Sequence, residues 1–427
     1  MPGDQNLLDR PNLEVTVLAL ITAGPVSDGS LSGVILMVIE WAPIAAVCFT
    51  IMVLIKLIRK SLTFPMFLEM ELIPASCTSQ DGNNPKPVIS VVIPAKDECH
   101  CIKESASQIL ASQNCRFELI LVNDRSQDDT LQLMEELARA DARIKVVSVD
   151  ELPVGWTGKT HAMFLGANIA SGEILVFTDA DSFLNPNALC TALSHVSSRS
   201  LDCLSLLPGF TKRGFIADAI FPILALGLLH YHHLKDVNNP VKPAAMASGS
   251  FLMMTRKAYE KIGTWHRLRN EITEDIALAK TVKGQGMRLM VLRGSNLVQM
   301  EPFNNLLQVF SFWKRVYYGG LERSASTMLR LIANNVALVT TYVLFGISSA
   351  FWLTQATLTI TVLFLLTAVA VIIVSILQIA FIRREKGYWI YGLAAPLGFL
   401  MGAFVSLSAL AALVFHTGIR WHGSRYR

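Results

Sequence analysis

The sequence predicts an α/β domain built on a mostly parallel sheet and flanked by transmembrane helices. Three observations carry this. From residue 88 onward, short strand-like apolar runs alternate with helical patterns. One run, Ile174-Leu175-Val176-Phe177-Thr178, is rich in strand formers and ends abruptly in Asp179-Ala180-Asp181. The apolar excess of the chain lies at its two ends.

Composition narrows the class. Hydrophobic residues make up 52% of the 427 and charged residues 16%, with a mean hydropathy of +0.44. That is too apolar for an ordinary soluble enzyme. The net charge of +4 gives no reason to expect nucleic acid as a partner. The basic residues cluster beside apolar segments, which fits a membrane surface. Seven cysteines without a C-x-x-C pair argue against a disulfide framework or a zinc ribbon. Cys99 and Cys101 bracket His100, but that spacing lacks partner ligands. The thiols are expected to be reduced, hence cytosolic.

Residues 1–60 read as an N-terminal region. The stretch 13–22 is apolar but too short to span, and no basic segment precedes it, so a cleaved signal peptide is not expected. Residues 33–58 are apolar enough to cross a bilayer, with Glu40 the one awkward residue. Lys56, Arg59 and Lys60 assign the far end to the cytoplasm. A linker is expected over 61–86, where Pro65, Pro74 and the Asp81-Gly82-Asn83-Asn84-Pro85-Lys86-Pro87 cluster interrupt regular structure.

A cytoplasmic domain is expected over 87–330. Strands are predicted at 88–93, stopped by Pro94, and at 117–122, 144–149 and 174–178. Helices are predicted at 104–113, 130–140 and 161–170. This alternation implies parallel strands covered by helices. Neither G-x-G-x-x-G nor G-x-x-x-x-G-K-[ST] is present, so a dinucleotide or P-loop site has no support. Residues 217–233 are apolar, interrupted by Pro222, and end in His230-Tyr231-His232-His233. They read as an interfacial helix lying on the membrane, its histidines marking a helix end at the surface rather than a metal site. The small apolar stretch 244–255, with Gly249, reads as another strand, and 271–283 as a helix that opens with acidic residues.

From 331 to 427 the chain reads as membrane again, with spans at 331–353, 358–382 and 389–415. Arg383-Arg384-Glu385-Lys386 should be cytoplasmic. Three full spans would leave the basic tail 420–427 outside, against the positive-inside tendency, unless one segment is re-entrant or interfacial. Pro396 and Gly398 make the last segment the weakest span.

Polar groups gather at the predicted strand ends. Pro94-Ala95-Lys96-Asp97-Glu98 follows the first strand and Asp124 the second. Gly155-Trp156-Thr157-Gly158-Lys159 precedes the third helix, Asp179 and Asp181 follow the fourth strand, and Thr273-Glu274-Asp275 opens a later helix. Each alone fits a cap, a solvated lysine or a favourable charge at a helix N-terminus. Five such accidents at successive sheet-edge positions are less expected than one shared site, because ligands of open α/β sheets bind beyond the carboxyl ends of the strands. Two hard oxygen ligands there suit Mg²⁺ or Mn²⁺ bound with a phosphate group.

This set resembles a family 2 glycosyltransferase of the GT-A fold, the nucleotide-diphospho-sugar transferase fold, over roughly residues 88–320. Asp179-Ala180-Asp181 is similar to the metal motif of that family and Glu274-Asp275 to its catalytic motif. The Gly155–Lys159 loop, the stretch 256–283 and the tail 420–427, which is similar to a Trp-x-x-Gly-x-x-Tyr ending, resemble membrane enzymes that glycosylate lipids. Those are the ceramide glucosyltransferase-like enzymes and the bacterial transferases associated with hopanoids and carotenoids.

The resemblance implies roles. Pro94, Glu98 and Asp124 would bind the nucleoside end of a nucleotide sugar, most simply a UDP-sugar. Lys159 would face the diphosphate. Asp181 would ligate the divalent metal, Mg²⁺ or Mn²⁺, with Asp179 close to the ribose or metal. Asp275 would be the general base, in a catalytic pair with Glu274. The processive members carry a Gln-x-x-Arg-Trp motif, where this chain has Gln308-Val309-Phe310-Ser311-Phe312-Trp313-Lys314-Arg315. Trp313 and Arg315 either replace parts of that motif, contacting sugar and diphosphate, or form an aromatic and basic belt at the membrane interface.

The expected protein is therefore a multi-pass membrane enzyme of the plasma (inner) membrane, its catalytic domain facing the cytoplasm. It would move one sugar from a nucleotide sugar to a lipid acceptor with inversion. The alternatives are a processive polysaccharide synthase and a catalytically silent membrane scaffold.

Overall fold

The computed structural model describes Met52 and residues 89–427, apart from 213, 233, 385, 386, 422, 423 and 427. The expected span at 33–58, Met52 excepted, and the linker at 61–86 lie outside the described residues.

Strand and helix alternate from the start: β1 (Ile89–Ala95), α1 (Ile102–Leu110), β2 (Phe117–Asn123), α2 (Thr130–Ala140), β3 (Ile144–Ser148), α3 (Gly158–Ile169) and β4 (Ile174–Phe177). β5 (Ser182–Leu184), α4 (Ala188–Ser198), β6 (Cys203–Leu207) and β7 (Gly209–Phe210) follow. A π-helical turn (Ile216–Ile220) leads into α5 (Phe221–Tyr231) and α6 (Leu234–Val237). Next come β8 (Leu252–Thr255), α7 (Arg256–Lys261), α8 (Thr264–Arg267), α9 (Glu274–Gly284), β9 (Leu289–Arg293), β10 (Val298–Met300) and α10 (Leu306–Gly320). The apolar end holds α11 (Ala325–Thr354), α12 (Leu358–Arg384), a 3₁₀ segment (Trp389–Ala394) and α13 (Ala395–Val414). β11 (Ile419–Trp421) and β12 (Ser424–Tyr426) close the chain as an antiparallel hairpin.

The main sheet has seven strands in the order β3-β2-β1-β4-β8-β6-β9. Only β8 runs antiparallel to its neighbours there, β4 and β6. Alternate residues feed two cores, as the period of two requires. Val92, Ile120, Val122, Leu175 and Phe177 face one cluster, which includes Trp265. Ile89, Val91, Ile93, Leu119, Leu121 and Val176 face the other, with Ile102, Ile109 and Met134 of the covering helices α1 and α2.

Several boundaries differ from the sequence expectation. The first strand does not stop at Pro94 but runs to Ala95, with Pro94 opposite Val122. The Val92 carbonyl accepts from Thr178 on the β4 side and the Ala95 carbonyl from Asp124 on the β2 side. By alternation the missing N–H of Pro94 faces the β4 side, where β4 has already ended at Phe177, so no ladder bond is lost. α3 begins at Gly158 rather than 161, because Thr157 Oγ1 accepts from Thr160 N at 3.2 Å and caps the earlier start. Residues 244–255 are a strand only over Leu252–Thr255, and the helix expected from 271 begins at Glu274.

The described residues form two units. In one, residues 336–374, the later part of α11 and the first part of α12 join through a short turn. Phe364 stacks on Phe345 and Trp352, with ring centroids 5.9 and 5.2 Å apart, and Ser348 and Thr367 hydroxyls meet at 3.4 Å. Val343, Ile347, Leu353, Leu358, Val362, Leu365, Val369 and Ile372 are exposed and apolar. Three helical stretches among the described residues are long and apolar enough to cross a membrane: Ala325–Thr354, Leu358–Ala380 and Trp389–Val414.

The other unit holds residues 89–335 and 375–427. Here α13 packs on α10, on α5 and on the π-turn. Pro396 lies in the first turn of α13, where a missing N–H costs nothing, so it starts the helix instead of weakening it. In the π-turn, buried Asp218 accepts from Tyr388 N at 3.0 Å. His232 is also buried, its Nε2 2.7 Å from the Gly320 carbonyl, and so is not the membrane-surface histidine the sequence suggested.

Candidate active site

The C-terminal ends of β1, β2 and β4 open on the same edge of the sheet, as parallel strands must. β8 is antiparallel to β4 and pairs Leu252 with Phe177, so the loop before β8 enters at that same edge. Thr178 Oγ1 donates to the Ser250 carbonyl at 2.7 Å and fixes the loop to the end of β4.

Gly249 is the centre of this edge. Its N–H donates to Asp275 Oδ2 at 3.0 Å. A Cβ there would stand 2.9 Å from Lys159 Nζ, 3.3 Å from Asp179 Oδ2 and 3.5 Å from Glu274 Oε1. Lys159 Nζ lies 2.5 Å from both Asp179 Oδ1 and Glu274 Oε1. Lys159 comes from the first turn of α3, Asp179 from the end of β4, and Glu274 and Asp275 from the N-terminus of α9.

The electrostatics follow from crowding. Burial works against the charge on Lys159, but the carboxylates of Asp179, Glu274 and Asp275 more than offset this and hold its pKa above the ordinary lysine value. Burial pushes Asp275 up to about 6; Glu274 repels its charge further, while Lys159, the Ile276 N–H and Arg315 work against the rise. Ile276 N donates to Asp275 Oδ1 at 2.8 Å, so backbone N–H groups hold both carboxylate oxygens.

A second group of carboxylates lies beside the first. Burial and the neighbouring Asp179 push Asp181 up to about 6, against the pull of Lys159, and Glu301 adds to the rise. Burial and Asp181 push Glu98 up to about 7, with Asp179 and Asp128 adding to it and the Cys101 thiol hydrogen bond opposing. Asp179, Asp128 and Glu301 thus add their charge to that of Asp181 and Glu98, and Lys159 offsets it only in part. This donor set, hard oxygens in excess of positive charge, fits a Mg²⁺ or Mn²⁺ ion.

Backbone clasps hold the β1 and β2 loops together. Asp97 N donates to Ser126 Oγ at 3.1 Å and Gln127 N to Asp97 Oδ1 at 2.7 Å. Glu98 N donates to Thr130 Oγ1 at 2.8 Å. Asp124 is buried and pairs with Arg125 Nη2 at 2.7 Å. Its Oδ2 occupies the space a Cβ on Gly158 would take, at the start of α3, so only glycine fits there.

The sequence-predicted residues Glu98, Lys159, Asp179, Asp181, Glu274 and Asp275 therefore converge, and Arg315 acts on Asp275 from α10. Asp124 sits next to Lys159 through Gly158, and Pro94 stays in β1 as backbone. Trp313 is buried, 5.1 Å from the Phe221 ring, 5.6 Å from Phe312 and 5.7 Å from Tyr317, so it is not an exposed belt residue. Arg315 lies over Phe312, 5.5 Å from its centroid. Sequence reasoning missed Gly249 and Glu301 as site residues. Glu301 carried a signal, since it ends a short apolar run before Pro302.

The fold and this edge define a GT-A-like α/β domain. Residues 90–263 match the model of glycosyl transferase family 2. It is similar to the 4,4'-diaponeurosporenoate glycosyltransferase of Staphylococcus haemolyticus (strain JCSC1435), 36% identical over 97 residues, covering 23% of this chain and 25% of that protein. It is also similar to the protein of that name from Staphylococcus aureus (strain USA300), 26% identical over 227 residues, covering 52% of this chain and 58% of that one. The chain thus spans less than two thirds of either relative. Among solved structures, the mannosyltransferase PcManGT from Pyrobaculum calidifontis, in complex with GDP-Man and Mn²⁺, is similar at 14% identity and a TM-score of 0.49, covering 86% of this chain and 98% of that one.

Proposed function

We propose that this chain transfers one sugar from a UDP-sugar, UDP-glucose or a relative, to the hydroxyl of a membrane lipid, with inversion. The observation that carries the reading is the Gly249 cradle: a lysine, two flanking carboxylates and a third carboxylate of raised pKa, held by backbone N–H groups, at one sheet edge.

In the reaction, the acceptor oxygen attacks the anomeric carbon as the bond from that carbon to the β-phosphate oxygen breaks. The acceptor proton passes to Asp275, and UDP leaves. A base with a pKa of about 6 is deprotonated at neutral pH yet basic enough to accept the proton. Lys159 offsets charge on the leaving diphosphate, with Glu274 fixing its ammonium. Asp181 and Asp179 would hold Mg²⁺ or Mn²⁺, which supplies further charge neutralisation at the diphosphate when bound. Glu98 and Asp124 hold the nucleoside, and Arg315 approaches the diphosphate from α10. One base opposite the leaving group gives inversion, by the geometry of single displacement.

The lipid acceptor is supported by two things. The apolar helices adjoin the domain in the chain, and the curated relatives are named for a carotenoid acid. In this reading 87–330 is the catalytic domain on the cytoplasmic side of the plasma membrane, and 331–427 is the membrane region.

The test is UDP release by detergent-purified protein across UDP-sugars, with Mn²⁺ or Mg²⁺, with and without lipid extract. Release that needs both metal and lipid, with a glycolipid product by mass spectrometry, is expected. Water-soluble oligomers made without lipid would replace the reading with a polysaccharide synthase. UDP binding without release across donors and acceptors would replace it with a silent scaffold.

A further inference from the structure

We propose that Glu98, His100 and Cys101 form a binding site for a soft divalent cation of the Zn²⁺ class, distinct from the hard-cation pair Asp179 and Asp181. The cysteine and histidine spacing lacked partner ligands in the sequence, and the fold supplies one. Glu98 Oε2 lies 3.8 Å from His100 Nε2 and 3.3 Å from Cys101 Sγ, and the ligand atoms of all three lie within 4.8 Å of one another. Ligands on a tetrahedral zinc, with bonds of about 2.0–2.3 Å, stand roughly 3.3–3.8 Å apart. The two measured separations already have that size.

The segment is held before any ion arrives. Glu98 N donates to Thr130 Oγ1, Cys99 N to Asp128 Oδ2 at 3.1 Å, and Cys101 N to the Glu98 carbonyl at 3.1 Å. Asp128, Asp179 and Asp181 lie close enough to act on Glu98, and Asp181 and Glu301 on Cys101, so the field at the site favours a cation. His100 is exposed, its side chain at 60%, and gives a route of entry, while Cys101 is buried beneath it. A thiolate and an imidazole select zinc over magnesium or manganese, which prefer the all-oxygen pair next door. Binding forms the metal–sulfur bond and releases the thiol proton to solvent, and water completes the coordination.

Glu98 is also the residue read above as holding the nucleoside. On that reading the soft cation and the nucleotide compete, which makes the site inhibitory.

The test uses the full chain in detergent, freed of metal and titrated with Co²⁺ as a spectroscopic substitute. We expect a thiolate-to-cobalt band in the near ultraviolet, displaced by Zn²⁺ but not by Mg²⁺. It should vanish in Cys101→Ser, persist in Cys99→Ser, and need on the order of 100-fold more Co²⁺ in His100→Ala. His100 is exposed, so that variant keeps the test decisive even where Cys101→Ser misfolds. No band in the parent protein, a band indifferent to His100→Ala, or one lost in Cys99→Ser would overturn the site. Zn²⁺ should also displace bound UDP, and less so in His100→Ala. Zn²⁺ and UDP bound together would overturn the competition and the nucleoside role of Glu98, while the cobalt spectra still decide the metal site.

Discussion

Lys159→Met keeps the length of the side chain and removes its charge. The loss follows from the two pairs it breaks. The Asp179 side chain is 30% exposed, so water screens that pair to about 0.5–1 kcal/mol. The Glu274 side chain is 6% exposed, and losing its partner strands a buried carboxylate at a cost of about 3 kcal/mol. Together they come to roughly 3–4 kcal/mol at neutral pH. At about 2–4 °C per kcal/mol for a domain of this size, melting should fall by roughly 6–16 °C. The assay is thermal unfolding in detergent without metal or nucleotide. The double variant Lys159→Met with Glu274→Gln should regain most of the loss, because the stranded charge is then gone. Melting within about 1 °C of the parent, or no recovery in the double variant, would refute the buried-pair reasoning.

Asp275→Asn should lower turnover by about 10²–10⁴-fold while UDP binding stays near normal; normal turnover would remove Asp275 as the base. In the parent, kcat/KM should fall on the acid side with a limb near pH 6, the value to which burial lifts both Asp275 and Asp181, and the limb should be shallower in the residual rate of Asp275→Asn. The same group makes the metal-free protein less stable as pH rises. Its folded pKa of about 6 exceeds the ordinary 3.8, so its contribution is complete below about pH 4 and lost as pH passes through 6, which denaturant titrations at pH 4, 5, 6 and 7 will detect. Gly249→Ala puts a Cβ 2.9 Å from Lys159 Nζ, so the ammonium must shift off its carboxylates. UDP-sugar binding should weaken about tenfold, or roughly 1.4 kcal/mol, by calorimetry, and unchanged binding would exclude Gly249 as a wall of the site.

Much of the architecture was legible in the chain. β2, α2 and β4 begin at the residues their apolar patterns predict, because burial on a sheet or helix face repeats at a period that any short window contains. The carboxylates beyond the strands were legible for the same reason, since each sits next to its own strand or helix. Errors came where one local rule met another. Pro94 reads as a stop, yet it costs nothing where β4 has ended, and that depends on the length of a strand eighty residues away. Pro396 reads as weakening the last span, yet it opens a helix.

By itself, then, the sequence determined the alternation of strand and helix and the apolar ends. Each is set by periodicity and composition among near neighbours. The tertiary structure alone decided which groups share a space. Gly249 meets Lys159, Asp179 and Glu274 because β8 runs antiparallel to β4 and returns its loop to the carboxyl edge. Trp313 is enclosed by aromatic rings from α5 and α10 instead of facing a membrane surface. Convergence of this kind depends on strand order and direction, which are settled by packing between segments far apart in the chain, and no local pattern records it.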